Sequence, residues 1–242
     1  MKFALNITDW RARAPGLMEL ESWLTWAKQD WCINPDKTQA KLTELPMMTA
    51  RRLNSGSRLA VDCGMDILRQ YHIDAVVFTS RHGELERNYR ILQALSTGQV
   101  ISPTDFAMSV HNSAVGNLTI ATKKPLVSSS VSAGIDTFQQ GLYEVLALHQ
   151  SGCNRVLMVD FDGSLPSFYH PWLPDSMPVW AYAVALVIEP GQALHCESIS
   201  HPTQQPEPEL AQSLQFLKGW LNPATPTFRV SGDQRQWLWN RT

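Results

Sequence analysis

The hydrophobic pattern along the chain alternates between two periods. Residues 3–8 (Phe-Ala-Leu-Asn-Ile-Thr) alternate apolar with small or polar groups, as a half-buried strand does. Between residues 17 and 31, Leu17, Leu20, Trp23, Leu24, Trp26 and Trp31 predict a short helix or helical loop, and Asn34-Pro35-Asp36 is a turn signal. Thr49 to Tyr71 reads as a helix with an apolar face, interrupted at Ser55-Gly56. Asp74 to Thr79 and Arg155 to Phe161 are continuous apolar runs, the pattern of strands buried on both faces of a parallel sheet. A helix from about Glu84 to Ser96 separates the first of these from the central stretch.

That central stretch organises the rest. Leu126 to Val131 predicts a buried strand, which ends at Ser132-Ala133-Gly134. Ile135, Phe138, Leu142 and Val145 then share one face of a helix that Gly152 terminates. Trp180 to Glu189 predicts a further strand, with Ala193 to Ser198 as its antiparallel partner. Residues 202–208 read as a linker. Leu210, Leu214, Leu217 and Leu221 form a helical stripe, Thr227 to Val230 an edge strand, and Gln236 to Trp239 an aromatic tail that docks back. Alternating strands and helices imply an α/β fold, a mostly parallel mixed sheet with helices on both faces. Residues 1–242 are read as a single domain, with 202–242 a carboxy-terminal extension packing on it.

Composition narrows the function classes. Net charge is −2 and only 17% of residues are charged, so no basic footprint for nucleic acid is expected. No run of about eighteen apolar residues and no signal-peptide core appear, which predicts a cytoplasmic protein without a membrane span. Cys32, Cys63, Cys153 and Cys196 are widely spaced, so neither a structural metal nor a disulfide framework is expected. The dinucleotide and phosphate-loop glycine fingerprints are missing, and no cofactor is implied. Nine Trp and eight Met in a weakly charged chain fit either an apolar docking surface or simple core filling. Arg51, Arg52 and Arg58 read as a solvated or ion-paired face, with an anion site as the alternative.

Four motifs carry a resemblance: Phe78-Thr-Ser-Arg-His-Gly83, Ile101-Ser-Pro-Thr-Asp-Phe106, Ser109-Val-His-Asn112 with Gly116, and Ser132-Ala-Gly-Ile-Asp-Thr-Phe138 with Gly141-Leu-Tyr-Glu144. Across about residues 45–190 the chain resembles the amino-terminal half of β-ketoacyl synthases. It is most similar to the short, single-half proteins found with aryl polyene, polyketide or fatty-acid assembly genes. The resemblance implies one thiolase-type half with a five-stranded sheet.

It also implies a missing catalyst. Active ketosynthases carry their acyl-accepting Cys at the position that here is Ala133. Their two histidines lie in a carboxy-terminal half that this chain is expected to lack. The implied role is a chain-length-factor-like subunit, paired as a heterodimer with a catalytic β-ketoacyl synthase and meeting acyl carrier protein through that complex. Its interface is expected at the strand Leu126, Val127, Ser128, Ser129, Ser130, Val131 and Ser132, and its tunnel gate at Phe106 and Met108. His111 and Asn112 are expected to support that segment by hydrogen bonds in a buried turn. Two other readings remain open. Ser130-Val-Ser132-Ala-Gly134 resembles a hydrolase elbow with Ser132 as nucleophile, Asp160 or Asp162 as acid and His195 or His201 as base. The chain also fits a scaffold that binds acyl carrier protein with no tunnel role.

Overall fold

The computed structural model describes residues 1–29, 33–39, 41–201, 203 and 205–242. Trp31, Cys32 and, in the expected linker, Pro202 and Gln204 lie outside the described residues. The elements in chain order are β1 (Lys2–Arg13), α1 (Leu20–Ala27), α2 (Met47–Ala50), α3 (Ser55–Gln70), β2 (Ala75–Thr79), α4 (Leu85–Ser96), α5 (Pro103–Ala107), α6 (Ser113–Thr122), β3 (Val127–Val131), α7 (Thr137–Gln150), β4 (Val156–Asp162), β5 (Tyr182–Ser200), α8 (Gln212–Leu221), β6 (Thr227–Ser231) and β7 (Arg235–Arg241).

The expected α/β architecture is present, built on one mixed sheet. Strands β3, β2, β4, β5 and β1 lie side by side in that order. All run parallel except β5, which is antiparallel to both β4 and β1. The expectation of five strands needs correction: among the described residues the sheet has seven. The two additional strands, β7 and β6, come from the segment read as an extension, and β7 pairs antiparallel with β5 from Leu194 to Ser200. The aromatic tail is itself a strand. Trp237 and Trp239 alternate inward, fully buried, between outward Gln236, Leu238 and Asn240.

The expected hairpin of Trp180–Glu189 with Ala193–Ser198 is likewise corrected. These segments belong to one 19-residue strand, β5. At Pro190-Gly191, between the two expected strands, the chain makes a bulge: the register with β1 steps from Leu5↔Leu194 to Asn6↔Glu189. Asn6 fills the bulge, its Oδ1 accepting from the Ala193 N–H at 3.0 Å. A Cβ on Gly191 would lie 2.0 Å from Asn6 Cγ, so only glycine fits unless Asn6 moves.

Residue alternation divides the core in two. Ala75, Val77, Val156 and Met158 face α1, α7 and α8. Val76, Phe78, Leu157, Val159 and Phe161 face α3 and α6. Burial on both faces is why β2 and β4 read as unbroken apolar runs. The expected helix Thr49–Tyr71 resolves into α2 and α3, with Asn54 at the start of the second. At the interruption, Gly56 lets α3 press on the end of β4; a Cβ there would meet the Asp162 carbonyl at 2.5 Å.

Candidate functional site

The strand expected at the dimer centre is not buried. β3 is the edge of the sheet, paired on one side with β2, and Val127 is 61% exposed. Its other side is open. The Val131 carbonyl accepts from the Ser80 N–H at 3.2 Å, so Val131 directs its backbone groups toward β2. Backbone direction alternates along a strand, so Ser129 also faces β2 while Ser128 and Ser130 direct their N–H and C=O groups outward. The hydroxyls of Ser129 and Ser130 are buried and have no hydrogen-bond partner among the described residues. They do not satisfy local backbone groups. Leu126, ahead of the strand, packs against the α3–α6 core.

The segment from α5 to α6 exposes further apolar side chains. On α5, Phe106 is 68% exposed, so it is not a core residue. Ser102 opens this helix, its Oγ accepting from the Asp105 N–H at 3.3 Å. Met108 points back into the body: it is half-buried against the α3–α6 core, and Asn117 Nδ2 lies 3.7 Å from its Sδ. His111 Nε2 lies 2.9 Å from the Ser80 carbonyl, tying the segment to the end of β2. Asn112, expected in the same buried turn, is exposed and makes no side-chain cap bond at the start of α6.

Beyond β3 the chain turns sharply into α7. Ala133 is exposed at φ −151°, ψ 40°, and Gly134 follows at φ +60°, a left-handed conformation that favours glycine. Thr137 locks the turn: its Oγ1 accepts from the Ala133 N–H at 2.9 Å and donates to the Gly134 carbonyl at 2.7 Å. The tip therefore presents a methyl group and a backbone N–H already bonded within the chain. Ser132 Oγ donates to the Arg81 carbonyl at 3.3 Å. Among the described residues no hydrogen bond joins Ser132 to His195 or His201, and the hydrolase triad is not assembled.

Asp160 and Asp162, expected only as alternative acids of a hydrolase triad, stand together in a buried acidic cluster behind this turn, at the ends of β2 and β4. Asp160 and Asp162 are 3% and 8% exposed. Asp160 accepts from Thr79 Oγ1 at 2.6 Å and Ser213 Oγ at 2.5 Å; Asp162 accepts from Ser80 Oγ at 2.6 Å and the His82 N–H at 2.8 Å. The Tyr182 hydroxyl lies 3.2 Å from one carboxylate and 3.3 Å from the other, with one proton for two acceptors. The Asp-Phe-Asp at the end of an apolar run was the available signal. A cavity of about 40 Å³ adjoins the cluster, lined by Arg81, His82 and Phe138 among others. It has room for water, not for an acyl chain.

Burial pushes the Asp160 carboxyl up to about 7, against the lowering hydrogen bonds from Ser213 and Thr79. Burial also lowers His82, favouring its neutral imidazole. The folded chain thus holds a proton at Asp160 that the unfolded chain, with an ordinary value near 4, releases. This contribution to stability is fully present below pH ~4 and is lost as pH rises through about 7; at its upper bound it is about 4 kcal/mol. The melting temperature is expected to fall between pH 5 and pH 8, and Asp160→Asn to flatten that slope. Equal slopes for the two proteins would remove Asp160 from the account.

The comparisons with known proteins agree with this architecture. The family model described as "Beta-ketoacyl synthase, N-terminal domain" matches residues 23–240. One chain of the solved complex of a ketosynthase (ApeO) with its chain length factor (ApeC) from Xenorhabdus doucetiae is 57% identical. The match has a TM-score of 0.96 and covers 99% of this chain and 100% of that one. The ishigamide ketosynthase/chain length factor matches at 14% identity and TM-score 0.64, over 83% of this chain and 68% of that one. A β-ketoacyl synthase from Burkholderia phymatum STM815 matches at 14% and 0.55, over 93% and 70%. The last two carry a likeness of fold alone. None of the curated proteins matches the chain. Among the described residues no helix is long and apolar enough to cross a membrane. With nine-tenths of its length inside the family match, the chain belongs to the β-ketoacyl synthase amino-terminal-domain family.

Proposed function

We propose that the chain is a non-catalytic, chain-length-factor-like subunit. It pairs with an active β-ketoacyl synthase in the cytoplasm and shapes that partner's acyl tunnel during aryl polyene or polyketide elongation. Acyl carrier protein meets it through the complex. The observation that carries this reading is the open edge β3, with outward backbone groups and unpartnered hydroxyls, in a chain 57% identical to a member of a ketosynthase–chain length factor complex. Co-expression with a full-length β-ketoacyl synthase from the same organism, followed by size-exclusion chromatography, is the direct test; a chain that never co-elutes with such an enzyme is not its subunit.

The turn at Ala133 supports the non-catalytic part. Acyl transfer needs a thiolate or an activated hydroxyl, and a methyl group supplies neither. The buried cysteines do not substitute, since burial pushes the Cys63 and Cys196 thiols up to about 12. Incubation with an acyl-carrier thioester is expected to leave the intact mass of the chain unchanged. Ala133→Cys is expected to remain unable to condense malonyl units, because among the described residues no histidine pair stands at the turn. Covalent loading of the unsubstituted chain would overturn the assignment. Phe106, exposed on α5, is the gate in this reading. A scaffold that binds acyl carrier protein without shaping the tunnel would instead leave product length insensitive to every substitution at Phe106 and Met108.

A further inference from the structure

The loop after α2, the start of α3, and α4 and α5 enclose a cleft of about 450 Å³. That volume lies within the range of small-molecule sites. Its charge is unusual in a chain of net −2: five arginines line it against two carboxylates, Glu86 and Asp105. Both carboxylates are engaged. Glu86 Oε1 accepts from the Ser55 N–H at 3.1 Å, and Asp105 pairs with Arg87.

The remaining guanidinium groups are not neutralised. Among the described residues no carboxylate lies within ion-pair distance of Arg51, Arg52, Arg58 or Arg90. Arg58 is held by its Nε to the Ala50 and Leu53 carbonyls, both at 2.7 Å, and Arg90 by one nitrogen to Asn54 Oδ1 at 2.9 Å. Both keep further N–H donors unspent. Arg87 makes the strongest case. Its side chain is 6% exposed and lines the cleft, Nη2 donates to the Arg52 carbonyl at 2.5 Å, and Nε–H has no acceptor. A buried donor left unpaired in a pocket of excess positive charge is unfavourable unless an acceptor arrives.

We propose that this cleft binds a phosphoryl dianion carried on a small molecule, clamped by Arg52 and Arg90 and backed by Arg87. Five planar, forked donors lining one cleft suit a dianion spread over three terminal oxygens better than a single carboxylate. This inference does not depend on the subunit's pairing. Inorganic phosphate is the probe, titrated calorimetrically into the full chain at fixed ionic strength, with acetate and a poly-glutamate peptide as comparators. Phosphate is expected to bind at least tenfold more tightly than acetate. The double variant Arg52→Ala/Arg90→Ala alters two exposed side chains and is expected to keep its melting temperature in phosphate-free buffer while losing at least tenfold in phosphate affinity. Asp105→Asn, which removes a competing carboxylate from Arg87, is expected to tighten phosphate binding several-fold. Phosphate binding no better than acetate, or undiminished in the double variant, would overturn the site. Tighter binding of poly-glutamate than of phosphate would overturn it in favour of an acidic protein surface.

Discussion

Ser130→Pro is expected to abolish co-elution with the ketosynthase while leaving the subunit folded. The reason lies in the direction of one N–H. At Ser130 it faces away from β2, toward the open side, where a proline on an edge strand is tolerated in the lone chain but removes a donor from any strand that docks there. Ser129→Pro makes the internal control. Its N–H faces β2, so proline there orphans a buried carbonyl of this chain and is expected to cost about 1–3 kcal/mol of the subunit's own stability. Val127→Asp tests the same edge through charge. In a docked interface its carboxylate would be buried without a partner, a penalty of several kcal/mol. Each 1.4 kcal/mol is about tenfold in affinity, so at least a hundredfold weakening is expected. Obligate interfaces bury on the order of 2,000 Å² or more, and the edge strand with exposed Ile120 on the adjoining α6 supplies part of such a surface. If both Val127→Asp and Ser130→Pro still co-elute with the ketosynthase, the contact lies elsewhere.

Phe106→Ala is expected to lengthen the product by one or more extension units without destabilising the subunit. A buried phenylalanine truncated to alanine costs about 3–5 kcal/mol, because a cavity remains. Phe106 is 68% exposed in the lone chain, so no cavity forms, and the change is expected to stay within about 0.5 kcal/mol. Product length by mass spectrometry and melting temperature are to be measured on one preparation of the assembled complex. Met108→Ala is expected to behave differently, lowering the melting temperature, because Met108 packs on the α3–α6 core of its own chain. Unchanged product length in a fully assembled Phe106→Ala complex would remove Phe106 from the gate.

Where the chain's own core dictates the pattern, the elements were legible in advance. β2, α4, β4 and α7 fall within a residue or two of the expected bounds, because burial on two faces or one leaves an unambiguous period. The edge character of β3 was not legible: Val-Ser-Ser-Ser-Val has no period that separates a buried strand from one awaiting a partner. The continuity of β5 across Pro190-Gly191 is not legible, because a bulge uses the same residues as a turn and the Asn6 that fills it is far away in sequence. The alternation of Trp237 and Trp239 was visible and was read as a docking tail for want of a known partner strand. Ala133 at the turn was correctly located, yet the acidic cluster behind it joins β2, β4, β5 and α8, a convergence that no local window contains.

The long strand β5 also sets the order in which the molecule can be made. Lys2–Arg13 pairs with Ala183–Glu197, so the first strand's partner begins about three-quarters of the way along the chain. At about 5–20 residues per second, translation leaves β1 waiting on the order of 9–36 s before that partner emerges. During the wait Phe3, Leu5 and Ile7 alternate along an unpaired apolar segment that continues to Trp10, the kind that chaperones hold and that aggregates when they do not. Contacts between residues so distant in sequence also slow folding. The helices α3 and α7 can form locally on the nascent chain, whereas the sheet closes only when β5 arrives and β1 zips onto it, one of the final steps of biogenesis.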